Sequence, residues 1–123
     1  MLLDSNIVIG AAKPGGESLA VYVADATACI SIITRIEALG YHLLTAEEEK
    51  EIQLWLADLP ELPLDDTVAS RAIGLRKQRK MGLADSILAA TALERDIPFV
   101  TRNVDDFKHV NGLHLINPFA NAA

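Results

Sequence analysis

A chain of 123 residues, of which 50% are hydrophobic, can bury a core without disulfides or a structural metal. Aromatic residues make up only 5%, so that core must be aliphatic. The net charge of −6, taken alone, argues against a nucleic-acid-binding protein, because most of those are basic.

The sequence shows no sign of export or of membrane insertion. No apolar run approaches the roughly 20 residues that a membrane span needs, and no basic segment of a signal peptide precedes the first apolar residues. The single cysteine, Cys29, lies in the run ACISII and is typical of a small buried hydrophobe in a reducing compartment. We therefore expect one domain over residues 1–123, in the cytoplasm and without a membrane partner.

The first half of the chain alternates short apolar runs with amphipathic segments. Thr34 marks the start of one predicted helix, and Thr45 with Glu48 forms a capping box at the start of the next. The predicted elements are a strand over 2–3, helices over 6–13 and 17–26, a strand over 29–33, and helices over 34–44 and 45–59.

The second half continues the alternation. Asp65 or Asp66 caps its first helix, and Gly82 separates that helix from the next. The predicted elements are a strand over 61–64, helices over 67–80 and 83–96, and strands over 98–101 and 113–118. Strands separated by helices are too far apart for hairpins, which predicts an α/β fold: a three-layer α/β/α sandwich with a mainly parallel central sheet.

Polar side chains follow the predicted strands, at the sheet edge where α/β proteins bind ligands. Asp4 ends the first strand, Glu37 lies one turn into the helix after the second, and Asp85 lies near the start of the helix over 83–96. The segment TRNVDDF after the fourth strand adds Asn103, Asp105 and Asp106. We expect these groups to converge.

Each of these residues also has a purely structural interpretation. Asp4 can cap a helix, and Glu37 can complete a capping box with Thr34. Asp85 can favour a helix N-terminus through the macrodipole, and Asp105 or Asp106 can be a turn residue. Taken one at a time, these interpretations are at least as probable as a catalytic role.

Taken together, the acidic residues require a cation. Two carboxylates about 4 Å apart repel by about 1 kcal/mol in water and about 4 kcal/mol at a protein surface. A hard divalent ion such as Mg²⁺ takes oxygen ligands, whereas zinc prefers His or Cys, and neither accompanies these positions. His42, His109 and His114 are scattered, and we interpret them as ordinary surface or loop histidines.

The motifs resemble those of a known family. LLDSNIVI, TRIEAL, LADSILAATAL and VTRNVDDF, in that order and followed by GLHLINPF, resemble the PIN-domain ribonucleases, above all the VapC-type toxins of toxin–antitoxin pairs. The resemblance implies a PIN-like α/β/α sandwich that uses Mg²⁺ or Mn²⁺ to cleave RNA. It also implies a homodimer and a small VapB-like antitoxin that blocks the site.

The resemblance assigns roles to individual residues. Asp4 and Asp85 would bind the metal directly, and Glu37 and Asp106 would bind through water or orient it. Asp106 is favoured over Asn103 for the fourth position because an amide carries no full charge. The residues expected to hydrogen-bond the carboxylates or contact a phosphate are Ser5, Asn6, Thr101, Arg102 and Asn103.

Two further features could serve RNA or a partner. The run LRKQRK supplies Arg76, Lys77, Arg79 and Lys80, which with Arg35 and Arg102 could contact an RNA backbone, cap a helix end, or meet an antitoxin's carboxylates. For the helix that carries Trp55, core packing is favoured over an antitoxin groove or a dimer face.

Three alternative functions stay open to different degrees. A haloacid-dehalogenase-like domain needs a second aspartate two residues after the first, which DSN lacks. A catalytically silent PIN-like binding module would be indicated by loss of an acidic residue, yet Asp4, Glu37 and Asp85 are all present. A housekeeping RNA-processing nuclease usually carries extra loops or domains, for which 123 residues leave little room.

Overall fold

A sheet of short parallel strands forms the centre of the protein, whose computed structural model describes residues 1–119. Within this range the strands are β1 (Leu2–Leu3), β2 (Ile30–Ser31), β3 (Glu61–Leu62), β4 (Phe99–Val100) and β5 (Leu115–Ile116). Strand β1 pairs with β4, which pairs with β5, while β2 pairs with β3. A parallel bridge between Leu2 and Cys29 joins the two parts in the order β3-β2-β1-β4-β5.

Helices connect the strands, and their caps follow the sequence signals. The helices are α1 (Ser5–Ala12), α2 (Glu17–Val23), α3 (Ile32–Leu39), α4 (Ala46–Asp58), α5 (Asp66–Gln78) and α6 (Leu83–Arg95), and a 3₁₀ turn covers Val104–Asp106. Asp4 caps α1, and Thr45 and Glu48 form the predicted capping box of α4. Of the two candidates for α5, Asp65 is the cap, because its side chain accepts the Val68 N–H.

Alternating strand residues build a core on each face of the sheet. Leu3, Ile30 and Val100 pack on one face against residues of α1, α2 and α4, such as Ile7, Leu19 and Ile52. On the other face Leu2, Cys29 and Phe99 pack against α6 and the segment after β4, including Leu88 and Phe107. Helix α5 covers α6. The predicted three-layer α/β/α sandwich with a parallel sheet is confirmed.

The error with the most bearing on the site concerns the start of α3. This helix begins at Ile32 rather than Thr34, so the predicted strand over 29–33 ends at Ser31. Ser31 is the cap, and its side chain accepts the Ile33 N–H at 2.9 Å. Thr34 is fully buried inside the helix and donates its hydroxyl to the Leu3 carbonyl at 2.9 Å. It therefore cannot form the capping box with Glu37 that the sequence allowed.

Several other predicted helices and strands are longer than the observed ones. Helix α3 ends at Leu39 instead of residue 44, with Gly40 as its C-cap, and α2 ends at Val23 instead of 26. Helices α5 and α6 end at Gln78 and Arg95, and the strands predicted over 29–33, 61–64, 98–101 and 113–118 keep two paired residues each. Residues 120–123 of the predicted domain lie outside the described residues. No helix among residues 1–119 is long and apolar enough to cross a membrane.

Phe107 is one of the two largest fully buried side chains among the described residues, so its truncation should cost much stability. It is 1% exposed, and its ring stands edge-on to Phe99 with 4.9 Å between ring centroids. Phe107→Ala should lower the free energy of unfolding by about 3–5 kcal/mol, measured by urea denaturation. The control is Leu54→Ala in α4, which is 63% exposed and should cost less than about 0.5 kcal/mol. Equal losses in both variants would contradict this assignment of the core.

Candidate functional site

Asp4 stands at the carboxyl end of β1, where the first strand turns directly into α1. Its main-chain N–H donates to the Val100 carbonyl at 3.0 Å, which holds it beside the end of the neighbouring strand β4. The residue is only 6% exposed although it carries an ionisable group. Because β1 and β4 are parallel, the residues after Val100 reach the same edge of the sheet.

Three donors converge on the Asp4 carboxyl group. Oδ1 accepts the Ser5 N–H at 2.7 Å, so Asp4 does cap α1 as the structural interpretation held. Oδ2 accepts the Thr101 hydroxyl at 2.7 Å and the Asn6 side-chain amide at 3.3 Å. A carboxylate offers about four lone-pair sites, so capping leaves room for a further ligand. The capping and metal-binding interpretations are therefore compatible.

Burial raises the pKa of Asp4 above its ordinary value, because charge is costly away from water. The hydrogen bonds from Thr101 and Ser5 oppose this effect, and the negative charge of Asp106 adds to it. The environment therefore disfavours an isolated anion at Asp4. A bound cation would remove this penalty.

Glu37 lies on α3, which follows β2, and faces Asp4 across the junction between β1 and β2. The Ser5 hydroxyl donates to its Oε1 at 3.2 Å. Neighbouring atoms displace part of the water around the carboxyl group, which raises its pKa, and the charges of Asp4 and Asp85 raise it further. Since Thr34 is turned into the core, no capping box accounts for Glu37 at this position.

Asp85 lies in the first turn of α6 and is partly buried. Its pKa is raised by burial first, then by the charges of Asp4 and Asp106. A position in the first helical turn favours a carboxylate through the macrodipole, as the structural interpretation proposed. The effect of the Asp4 and Asp106 charges on this pKa is consistent with a place for Asp85 beside them at the sheet edge.

The structure distinguishes the three candidates for the fourth acidic position. Asp105 is exposed, and its Oδ1 lies 3.2 Å from Lys108 Nζ, with which it pairs. Asn103 donates its main-chain N–H to the Thr101 hydroxyl oxygen at 3.0 Å. Only Asp106 acts on the pKa of both Asp4 and Asp85. Its place at the end of the 3₁₀ turn brings it to the other acids.

The polar residues predicted around the carboxylates form one network. Asn6 donates to Thr101 Oγ1 at 3.4 Å and accepts the Arg102 N–H at 3.3 Å through its Oδ1. Ser5, Asn6 and Thr101 thus contact the carboxylates directly, while Asn103 and Arg102 join through their main chains. The guanidinium of Arg102 lies over the Phe119 ring, 4.9 Å from its centroid.

Asp4, Glu37, Asp85 and Asp106 offer carboxylate oxygens, which fit Mg²⁺ or Mn²⁺ better than zinc. Among residues 1–119 no three Asp, Glu, His or Cys side chains lie close enough together to hold a metal ion. The assignment of Asp4 and Asp85 as direct ligands therefore stays a prediction.

The predicted phosphate-contacting cations occupy different surroundings. Arg35 is bound to Glu61 at 2.6 Å, and Arg76 donates to the Met81 carbonyl at 3.2 Å. Arg79 and Lys80 are exposed and line a cleft that also contains Asp85 and Asp106. The same cleft includes His109, which sequence analysis passed over as an ordinary histidine. The sequence offers one indication of this position: His109 follows Asp106 by three residues.

Comparisons with known proteins agree with this architecture. A toxin–antitoxin complex from Klebsiella pneumoniae contains a chain 26% identical, with a TM-score of 0.76, covering 95% of this chain and 96% of that one. DNA-bound VapBC from Salmonella typhimurium matches at 23% identity and a TM-score of 0.79, covering 95% and 96%. FitAcB from Neisseria gonorrhoeae matches at 22% identity and a TM-score of 0.75, covering 97% of this chain and 98% of that one.

No curated protein sequence matches the chain significantly. The family model for the PIN domain matches residues 1–113, which include all four acidic positions. This match confirms the resemblance seen in the motifs of the sequence, and the protein belongs to the PIN domain family.

Proposed function

We propose that the protein is a metal-dependent endoribonuclease that hydrolyses RNA phosphodiester bonds, and that it is the VapC-like toxin of a toxin–antitoxin pair. The observation that carries the proposal is the position of Asp4, Glu37, Asp85 and Asp106 at one edge of the sheet, where burial first, and then the charges of the neighbouring acids, raise the pKa of three of them. Such a group is stabilised by a divalent cation, and a phosphodiester is the substrate that such a cation activates. The match to toxin–antitoxin complexes supports the toxin role.

In this mechanism Asp4 and Asp85 would hold Mg²⁺ or Mn²⁺, which would supply a more acidic water and stabilise charge on the phosphoryl oxygens. Thr101, Ser5 and Asn6 fix the orientation of the Asp4 carboxyl group. Glu37 serves as the general base: Ser5 occupies its Oε1, so Oε2 is left to take the proton of the attacking water. Its raised pKa brings it closer to the range in which a general base is effective.

The proposal includes a VapB-like antitoxin and a homodimer, and the protein presents two apolar surfaces for them. Val23, Trp55 and Leu59 help to line a cleft of about 460 Å³ beside α2 and α4. Ile73 and Leu83, 57% and 62% exposed, border a second cleft of about 390 Å³ between α5 and α6. Trp55 is half-buried, so it both packs on the core and lines the first cleft.

A cytoplasmic location, where RNA is present, belongs to the same proposal.

Cleavage of a mixed RNA substrate with Mg²⁺ or Mn²⁺ tests the central claim. Asp4→Asn keeps the shape of the side chain but removes its charge, and should reduce the cleavage rate about a hundredfold or more. EDTA should abolish the activity of the wild type. The control is Asp96→Asn at the exposed C-cap of α6, where asparagine tolerates the left-handed backbone (φ 52°) and the rate should not change.

The outcomes separate the candidate functions. Unchanged cleavage in Asp4→Asn would rule out the assigned site. Metal-dependent binding of RNA without cleavage by the wild type would favour the catalytically silent module. Efficient processing of one defined precursor RNA, with no growth arrest on expression, would favour the housekeeping nuclease over the toxin.

Stability measurements without metal provide a second test. The raised pKa of Asp4 means that the folded protein binds this proton more tightly than the unfolded chain. The resulting stabilisation is complete below the ordinary value of 3.8 and is lost as pH rises through the raised value. Near neutral pH, Asp4→Asn should therefore unfold at higher urea than the wild type, and this gain should disappear in acid.

Addition of Mg²⁺ or Mn²⁺ should reverse the order of stability, so that the wild type becomes more stable than Asp4→Asn. An ion that binds only the folded wild type stabilises it by mass action, whereas Asp4→Asn lacks the charge needed to bind it. A melting temperature of the wild type that does not respond to either ion would count against the metal site, whatever the activity assay shows.

Thr101 should act through Asp4 rather than on the substrate. Thr101→Val keeps the buried volume but removes the hydroxyl that donates to Asp4 Oδ2, and we expect metal affinity to fall about tenfold or more. The matched control is Thr91→Val in α6: Thr91 is equally buried and donates to the Ile87 carbonyl, away from the acids. Calorimetric titration with Mn²⁺ distinguishes the two, and equal affinities would contradict the positioning role.

A further inference from the structure

A polar cleft of about 240 Å³ opens beside the acidic group. Arg79 and Lys80, from the connection between α5 and α6, contribute to its lining together with His109, from the segment after the 3₁₀ turn. Asp85 and Asp106 line the same cleft. The space next to two of the proposed metal-site carboxylates is thus bordered by two permanent cations and an imidazole.

These cations differ from the other basic residues that could contact RNA. Arg35 is occupied by Glu61, and the guanidinium of Arg102 is stacked on Phe119. Arg79 and Lys80 are exposed and form no ion pair within residues 1–119, although Asp85 and Asp106 line the same cleft. Asp105, which also lines it, is paired with Lys108. The two cations are therefore available to an anion that enters the cleft.

His109 is the third member of this group. The ring is half-buried, and its Nε2 has no hydrogen-bond partner among the described residues. Buried polar atoms of side chains are nearly always paired, so an unpaired one invites an explanation. No hydrogen bond within the described part of the chain fixes this nitrogen, although the residue lines the cleft.

We propose that Arg79, Lys80 and His109 form a subsite for the phosphodiester next to the scissile one in single-stranded RNA. The inference rests on the proposed nuclease function and adds a direction to it: the strand leaves the acidic centre past Asp85 and Asp106 into this cleft. It also accounts for RNA binding by a chain of net charge −6, since positive charge is needed only along the path of the backbone.

The test measures RNA binding rather than cleavage. Asp4→Asn serves as the non-cleaving background, because Asp4 does not line the cleft, and binding of a fluorescent mixed-sequence single-stranded RNA is followed by anisotropy in Mg²⁺ buffer. Adding Arg79→Ala and Lys80→Ala should weaken binding about tenfold. The slope of log affinity against log salt should fall by about 1.4, since each phosphate contact contributes about 0.7 for single strands.

The control removes the same charge elsewhere. Lys50 on α4 and Arg95 at the far end of α6 are both exposed, and Lys50→Ala with Arg95→Ala changes the net charge equally. This pair should leave the salt slope unchanged. If both double variants lower the slope equally, the effect is one of net charge and the subsite is overturned. If Arg79→Ala with Lys80→Ala leaves RNA binding intact but weakens inhibition by the antitoxin, the cations belong to a partner surface and the subsite is likewise overturned.

His109 is tested separately with His109→Phe, which keeps a planar ring but removes both ring nitrogens. We expect weaker RNA binding with an unchanged melting temperature; a lower melting temperature with unchanged binding would make His109 a packing residue and remove it from the subsite. Failure of the underlying function is distinguishable, because the wild type would then not cleave RNA. Failure of the subsite alone leaves cleavage intact and dependent on Asp4.

Discussion

The hydrogen bond from Thr101 to Asp4 is the interaction on which the rest of the site depends. It joins the carboxyl ends of two neighbouring strands across 2.7 Å and satisfies a carboxyl group that is almost completely buried. An unpaired charge at this depth would be too costly to retain. Asp4 at the end of β1 is therefore matched by a hydrogen-bond donor, Thr101, at the end of β4. Asn6 and Ser5 complete the set from the first turn of α1.

The fold tolerates the acidic residues at this edge of the sheet because the strands are short and the residues around the strands are strongly apolar. The two residues of β1 and of β4 point to opposite faces of the sheet, into two separate cores. Helix α1 begins directly after Asp4, so this polar residue reaches the edge without interrupting a core. The stability lost by crowding acids at this edge is offset by the apolar packing below it, where the Phe107 ring stands edge-on to Phe99.

Sequence reasoning predicted what depends on local pattern and chain order. The strand-helix alternation, the parallel sheet and the capping box of Thr45 and Glu48 all follow from spacing. The start of α3 does not, because Ser31 and Thr34 are both good caps, and the choice is decided by the bond from Thr34 to Leu3 in another strand. The position of Asp106 relative to Asp4, and the place of His109 in a cleft, likewise depend on contacts between distant segments.

The sheet itself consists of two paired units that meet at a single bridge between Leu2 and Cys29. Glu37 follows the strand pair β2-β3, whereas Asp4 and Asp106 follow strands of the other unit. Hydrogen bonds across the junction run from Thr34 to Leu3 and from Ser5 to Glu37. Both sets of strands also pack into one core, in which Leu3 and Val100 join Ile30 and Ala38. The position of Glu37 relative to Asp4 is therefore fixed by packing that the two sets share, and the candidate site keeps its geometry only while that common core is intact.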